Sequence, residues 1–461
     1  MAWGKTVGVA SWVERLKAND PSLTSVTVFR GRLFGASEAA EVCAALRTNA
    51  HLAELYASGH AVDAATAALF AEALAVNASL RSLCIGDDAF GDAGLVALAP
   101  GVAASASLAA LDLEHKGVGD AGASALGAAL AARSDAAPLL DLNLARNPAM
   151  TPAGVAAVCV GAAKSARVRA LDLREARVDA AATAAIAALV AAPGASLAAL
   201  DLSDAVGADG ALVARALGEG LRARDADASA APLESLALRG VEGLDVAALC
   251  AAAGGAIRVA RADLRACGLG PDPAAVGALV AAAARGGRCA ALLLGENALG
   301  DAGVVAVADA LAKDAGAIAT LDLGRCGCGA GGAAALARGG AGRTLRELSL
   351  FGNDAIDDDA LGAVVERGGE MVALRTLDVG GCGVSEVGLV AAKDALASDP
   401  GLFPSLETLV VGGNPGAGGD AWEAAVEALR TARPGLDVAW RAADAGEAEK
   451  AKERGAFAEA K

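Results

Sequence analysis

One phrase, Leu-x-x-Leu-x-Leu-x-x-Asn/Cys, runs through this 461-residue chain, and Leu345, Leu348, Leu350 and Asn353 carry a full copy of it. Its first apolar position falls at Leu23, Leu52, Leu80, Leu108, Leu139, Val168, Leu197, Leu233, Val259, Cys289, Ile318, Leu345, Leu374 and Leu406, fourteen copies at intervals of 26 to 36 residues. A partial fifteenth copy, 436–440, closes the series. Within each copy the apolar spacing changes from that of a short buried strand to an Ala/Leu pattern at helical spacing, as in 182–190 and 304–311. Strand, loop, helix, loop is therefore one unit, and a unit of this size cannot bury its leucines alone. Strands stack roughly 4.8 Å apart whereas helices with side chains are about 10 Å across, so the stack is expected to curve, with helices outside and a parallel sheet lining the concave side.

A repeat of this length and phrase is that of a leucine-rich repeat. In the last six copies the ninth position reads Cys267, Asn297, Cys326, Asn353, Cys382 and Asn414, alternating without a break. With repeat lengths near 28 and 29, that alternation resembles the ribonuclease-inhibitor subfamily of leucine-rich repeat proteins. The Gly-Asp-Ala-Gly runs at 91–94, 119–122 and 300–303 resemble the turn that opens the helix in those repeats, where Asp can accept from free amides at a helix start. The resemblance covers about Leu23 to Trp440 and implies an α/β solenoid, a horseshoe of about fourteen repeats. Towards the N-terminus the ninth positions read Gly31, His60, Asp88, Lys116, Asn147, Ala176, Ala205 and Val241. A buried Asn there has donors and acceptors for the backbone of the bend, and Cys is a small buried substitute with a weak donor. Looser turns are expected in repeats one to eight.

The domain reading is a cap over 1–22, one repeat domain over 23–441 and a charged tail over 442–461. Trp12, Val13 and Leu16, at helical spacing, are expected to cover the first repeat. Lengthened repeats at 133–138, 222–232 and 398–404 all fall after helices, where surface loops tolerate growth. Residues 180–200 are uncharged, which superficially resembles a membrane span, but Pro193, Gly194 and the repeat phase argue against one. Residues 1–20 lack the apolar run of a secretory signal. A net charge of −16 disfavours nucleic acid as a partner and favours a basic protein. Nine cysteines is an odd number, and Cys267, Cys326 and Cys382 stand two repeats apart, roughly 10 Å by strand spacing, beyond the about 7 Å reach of a disulfide. They are expected to be reduced core thiols of a cytoplasmic protein.

Chemistry is hard to find. Gly4-Lys5-Thr6 has the tail of a phosphate loop without the strand that must precede it. His51, His60 and His115 share no triad spacing with a nucleophile; His60 and His115 read as bend and rim residues. Cys326 and Cys328 have no second ligand pair at metal spacing. No catalytic residue, metal or cofactor is expected.

The informative surface is the concave sheet, where third, fifth and seventh phrase positions point away from the leucines. The fifth position lays down Asp112, Asn143, Asp172, Asp201, Asp263, Asp322 and Asp378. Such a ladder suits a cation or a basic partner, but Arg174, Arg239 and Arg265 at the seventh position, with Arg146 and Arg261, make the middle of the face a mixed field. The candidate partner-binding residues are therefore Arg146, Asp172, Arg174, Asp201, Arg239, Arg261, Asp263 and Arg265. Reversing Arg174 and Arg239 to Glu is expected to weaken partner capture and leave stability nearly unchanged. The alternative surface is the bare end, Gly295, Gly324, Gly380 and Gly412 at the seventh position with Phe351 among them; against it, those glycines can simply relax the exit turn.

The function expected is a monomeric, non-catalytic interaction scaffold that binds a protein on its concave face. Two alternatives remain. One is a GTPase-activating protein, since the Ran GTPase-activating proteins use similar acidic repeats and the start of this chain, with Arg30 and Arg32, resembles theirs; the mixed tail departs from their acidic one. The other is a tropomodulin-like or axonemal structural role.

Overall fold

The computed structural model describes residues 9–439 apart from 33, 271, 339–342 and 416–419. Gly4-Lys5-Thr6, Trp440 and the 442–461 tail lie outside the described residues. Contacts divide the chain into two units, Met1–Val241 and Glu242–Lys461.

The first unit opens with helix Val9–Lys17, whose Val13 and Leu16 are buried. Eight strands follow: β1 (Ser25–Thr27), β2 (Glu54–Ser58), β3 (Ser82–Gly86), β4 (Ala110–Asp112), β5 (Leu140–Asn143), β6 (Val168–Asp172), β7 (Ala199–Asp201) and β8 (Ser235–Ala237). Each pairs in parallel with the next, in phrase register: Leu55 stands opposite Leu83, and Leu171 opposite Leu200. The second unit repeats the scheme with β9 (Arg261–Asp263), β10 (Ala291–Leu293), β11 (Thr320–Asp322), β12 (Glu347–Ser349), β13 (Thr376–Asp378), β14 (Thr408–Val410) and β15 (Asp437–Ala439). The partial fifteenth phrase thus forms a strand of its own. In both units a helix follows each strand from β1 to β14, and the fourth-position residue of those strands, usually Leu, is buried on the helix side. Third and fifth positions stay half-buried for the most part, on the opposite, open face.

Helix starts are built across repeats. Asp92 Oδ1 accepts from the amides of Gly119 and Gly122, at 2.7 and 2.8 Å, and Asp120 Oδ1 from those of Thr151 and Gly154, at 2.8 and 3.0 Å. Asp301 does the same for Gly329 and Gly332. The aspartate of each Gly-Asp-Ala-Gly run therefore caps the helix of the following repeat rather than its own, placing a negative charge at the positive end of that helix. The glycine four residues into the capped segment is required by this arrangement, because a Cβ would stand 2.8 Å from Asp92 Oδ1 at Gly122 and 2.5 Å from Asp120 Oδ1 at Gly154.

Residues 180–200 are a helix, Ala180–Val190, a turn through left-handed Gly194 and the start of β7. Among the described residues no helix is long and apolar enough to cross a membrane. The extra length of repeat seven is partly helical: Gly210–Ala226 runs into the stretch expected to be loop as far as residue 226. All nine cysteines are buried and none forms a disulfide, and burial pushes the Cys326 thiol up to about 12 and the Cys382 thiol to about 11.

Candidate functional site

In repeats four to seven and nine to eleven the chain leaves its strand through one residue with positive φ, the eighth phrase position: His115, Arg146, Glu175 and Asp204 in the first unit, Ala266, Glu296 and Arg325 in the second, all with φ between 52° and 60°. Glycine takes that place at Gly59, Gly240, Gly352, Gly381 and Gly413, while repeat three carries its positive φ at the seventh position, Gly86. The expectation of looser turns in repeats one to eight does not hold for repeats four to seven, whose bends share this geometry. Nor do the seventh-position glycines relax the turn, since Gly295, Gly324 and Gly380 have no positive φ. The eighth amide continues the ladder, donating to the seventh carbonyl of the next repeat, as Arg146 N does to Arg174 O and Arg325 N to Phe351 O.

The fifth-position carboxylates are tied to this bend. Asp112 Oδ1 accepts from Glu114 N at 2.9 Å, Asp201 Oδ1 from Ser203 N at 2.8 Å, and Asp322 Oδ1 from Gly324 N at 2.9 Å. Asn143, Asp172, Asp263 and Asp378 repeat the contact. Most of the ladder is thus explained by satisfying an exit amide, and among the described residues no group of three or more His, Cys, Asp or Glu is placed to hold a metal.

What remains for binding is what the side chains do beyond that contact. In the first unit Arg174 folds back on Asp172 with Nη2 2.7 Å from Oδ2, while its Nε stands 3.9 Å from Asp201 Oδ2 and its Nη2 3.8 Å from Glu114 Oε2. Arg146 bridges Glu175 at 2.8 Å and Glu114 at 3.3 Å. Arg146, Asp172, Arg174 and Asp201 are therefore one network, completed by Glu114 and Glu175, which the sequence reading missed. Both sit at phrase positions seven and eight, the rows that supplied Arg174 and Arg146, so reading those rows for acids would have found them. Burial, opposed by the Ser203 hydrogen bond and reinforced by the Asp172 charge, raises Asp201 to about 6. Arg174 is pushed up from its ordinary value, chiefly by the hydrogen bond to Asp172. Because Arg174 neutralises a carboxylate that is only 9% exposed, its reversal to Glu is not the stability-neutral change expected from the sequence. Arg239 lies at the seventh position after β8, its carbonyl accepting from Asp204 N.

In the second unit Arg265 grips Asp263 with two bonds, 2.7 and 2.9 Å, at 15% and 9% side-chain exposure. Burial lowers the Arg265 pKa, and the hydrogen bond to Asp263 together with the charges of Asp263, Asp322 and Glu296 more than reverses this. Arg261, at the third phrase position and the first residue of β9, makes no ion pair among the described residues. The bare C-terminal row is not empty: the Phe351 ring lies over Gly380 and Gly381, where added Cβ atoms would meet it at 3.3 and 3.2 Å. The Arg325 guanidinium stacks on the same ring, 5.1 Å from its centroid.

The first unit also has a hollow of about 350 Å³, lined by Arg30, Ser58, Asp87, Asp112, Glu114, His115, Lys116 and Arg146.

A model of the Leucine Rich repeat family matches residues 343–365. No curated protein matches. Among solved structures, one from the complex of Rad7 and Elc1 in yeast is 14% identical, covering 95% of this chain and 94% of that one, with a TM-score of 0.44. An internalin from Listeria monocytogenes is 12% identical, with coverage of 94% and 93% and a TM-score of 0.39. A chain of the mouse RP105/MD-1 complex is 13% identical, with coverage of 84% and 58% and a TM-score of 0.41. The strand register and the phrase, which coincide repeat by repeat in each unit, give the chain the leucine-rich repeat fold.

Proposed function

We propose that this chain is a non-catalytic, monomeric and cytoplasmic scaffold of the ribonuclease-inhibitor-like kind, docking a protein partner on the open face of its sheet. The observation that carries the reading is the network of Arg146, Glu114, Arg174, Asp172, Asp201 and Glu175. It spans four neighbouring strands of the first unit and has a half-exposed outer edge at Arg146 and Glu175. Fixed charges of both signs on a rigid sheet set specificity and association rate more than affinity. Arg239 extends this patch, and Arg261, Asp263 and Arg265 form a second patch in the second unit. The subfamily reading is supported by the Asn/Cys alternation. Nucleic acid is disfavoured by the net charge of −16, and a basic partner is favoured.

The test compares proteins retained from native cytosol by the full chain and by Arg146→Glu, a change at a side chain 54% exposed. A retained protein that is lost with the variant, more completely at low salt, supports the reading; identical retention by both refutes it.

A second reading, regulation of a small GTPase, is favoured by Arg30, which is exposed and makes no ion pair among the described residues. Acceleration of GTP hydrolysis at catalytic amounts of the chain, lost in Arg30→Ala, would replace the first reading with this one.

A further inference from the structure

Lys116 occupies the ninth phrase position, which Asn fills in the next repeat, and it is 4% exposed. Its backbone is served by Asn147, whose Oδ1 accepts from Lys116 N at 3.1 Å. The side chain goes elsewhere: it reaches back two repeats, past Gly86, to donate from Nζ to Ser58 Oγ at 2.6 Å. Among the described residues no carboxylate lies within 4.0 Å of that ammonium. A buried cation is costly unless paired, and an ammonium has three donors, of which one is used among the described residues. Buried Arg133 and Arg224 in the same unit are different, because backbone carbonyls surround them.

Lys116 and Ser58 line the hollow, and so does Arg30, whose side chain lies across the bare Gly59 and has no carboxylate partner among the described residues. The acids of the hollow are placed differently. Glu114 is engaged by Arg146 and Asn143, while Asp112 and Asp87 each accept a backbone amide, from Glu114 and Ala89. Two cations therefore lack a carboxylate, in a cavity that keeps acids on its wall.

We propose that this hollow receives one carboxylate side chain from an extended segment of the protein partner, held by the Lys116 ammonium and the Arg30 guanidinium. Asp87 and Asp112 repel a second acid and favour amides or basic residues beside it, so the segment is a basic one carrying a lone acid. The proposal rests on the reading of the first unit's open face as a docking surface, and it adds the chemistry of the anchor.

The probes are short fluorescent peptides of Gly, Ser and Lys with one central Glu, with Gln in its place, or with three consecutive Glu, titrated against the full chain at low salt. The lone-Glu peptide is expected to bind about tenfold tighter than the Gln peptide, and tighter than the three-Glu peptide. Lys116→Met should abolish the Glu-over-Gln preference, and Arg30→Gln, at an exposed side chain, should reduce it several-fold. Should Lys116→Met not fold, Arg30→Gln decides. Equal binding of Glu and Gln peptides, a preference unchanged in the variants, strongest binding of the three-Glu peptide, or displacement by equimolar acetate would each overturn the proposal. Such a failure would leave the docking reading standing, since that depends on partner retention by the Arg146 edge.

Discussion

The two units close the same bends with different chemistry. In the second, Asn297 Oδ1 accepts from Cys267 N and Leu269 N of the preceding repeat, while its Nδ2 donates to the carbonyls of Leu264, Leu294 and Gly295. Asn353 and Asn414 do likewise, and the Cys326 and Cys382 thiols donate to Leu294 O and Leu350 O of the repeats before them. One Asn thus serves two repeats, which is why every second copy can place a small thiol at the same position. Among the described residues of the first unit only Asn147 works this way, and other side chains supply the remaining contacts. His60 Nε2 lies 3.2 Å from Val28 O, so that nitrogen carries the proton. Asn49, Asn77, Arg133 and Arg224 tie helix ends to the repeats before them. The bend is a fixed demand for buried hydrogen bonds, and a regular ladder is one of several ways to meet it.

The helix side differs in the opposite sense. First-unit helices approach until backbones touch: a Cβ on Gly161 would stand 2.0 Å from Gly127 O, and one on Gly127 would stand 2.4 Å from Ala157 O. In the second unit the mid-helix Gly277 has only ordinary contacts, at 3.7 Å.

The sharpest test of the bend comparison is Asn353→Ala against His60→Ala. The first strands two amides and two carbonyls in buried backbone, the second one carbonyl. Urea unfolding should show a loss of about 3–5 kcal/mol for Asn353→Ala and about 1–2 for His60→Ala. Equal losses would mean that the ladder is no stronger than its substitutes. Next in size, Gly161→Ala should cost about 2–3 kcal/mol by forcing helices apart, whereas Gly277→Ala should gain about 0.5–1. Thermal melts moving in the same direction for both would remove the contrast between the helix faces.

The sequence showed the period, the strands, the buried thiols and the placing of Asp172 with Arg174 and Asp263 with Arg265 on one face, because each is written within one phrase. It hid what crosses between phrases. Asp92 capping the helix after Gly119, Lys116 reaching Ser58 and Asn297 serving Cys267 all join residues 27 to 58 positions apart, where local spacing gives no signal. The seventh-position glycines misled for a related reason: the positive φ belongs to the eighth residue, and at Gly380 the missing side chain makes room for Phe351 from the preceding repeat.

The fifth phrase position gives two further effects, and they should differ in sign. Asp263 in the second unit is the counter-ion of Arg265, so Asp263→Asn leaves a guanidinium that is 15% exposed without its partner and should cost about 2 kcal/mol at neutral pH.

Asp201 in the first unit has no such cation of its own, since Arg174 is committed to Asp172 and comes no nearer than 3.9 Å. Its pKa is raised to about 6 in the fold, from an ordinary 3.8. Below pH about 4 the carboxyl is protonated in both states and costs the fold nothing. As the pH rises from about 4 to about 6 the unfolded chain releases the proton first, so the fold loses stability over that window and gains none back above it. Asp201→Asn removes the ionisation, and its amide oxygen can still accept from Ser203 N. The variant should be more stable at pH 7 by about 1 kcal/mol, after allowing for solvent screening of a side chain 24% exposed, with the gain fading to nothing near pH 4. Urea titrations of both proteins at pH 4 and pH 7 measure this. A variant less stable at pH 7 would show that Arg174 is shared between Asp172 and Asp201 after all, making the two units alike at this position.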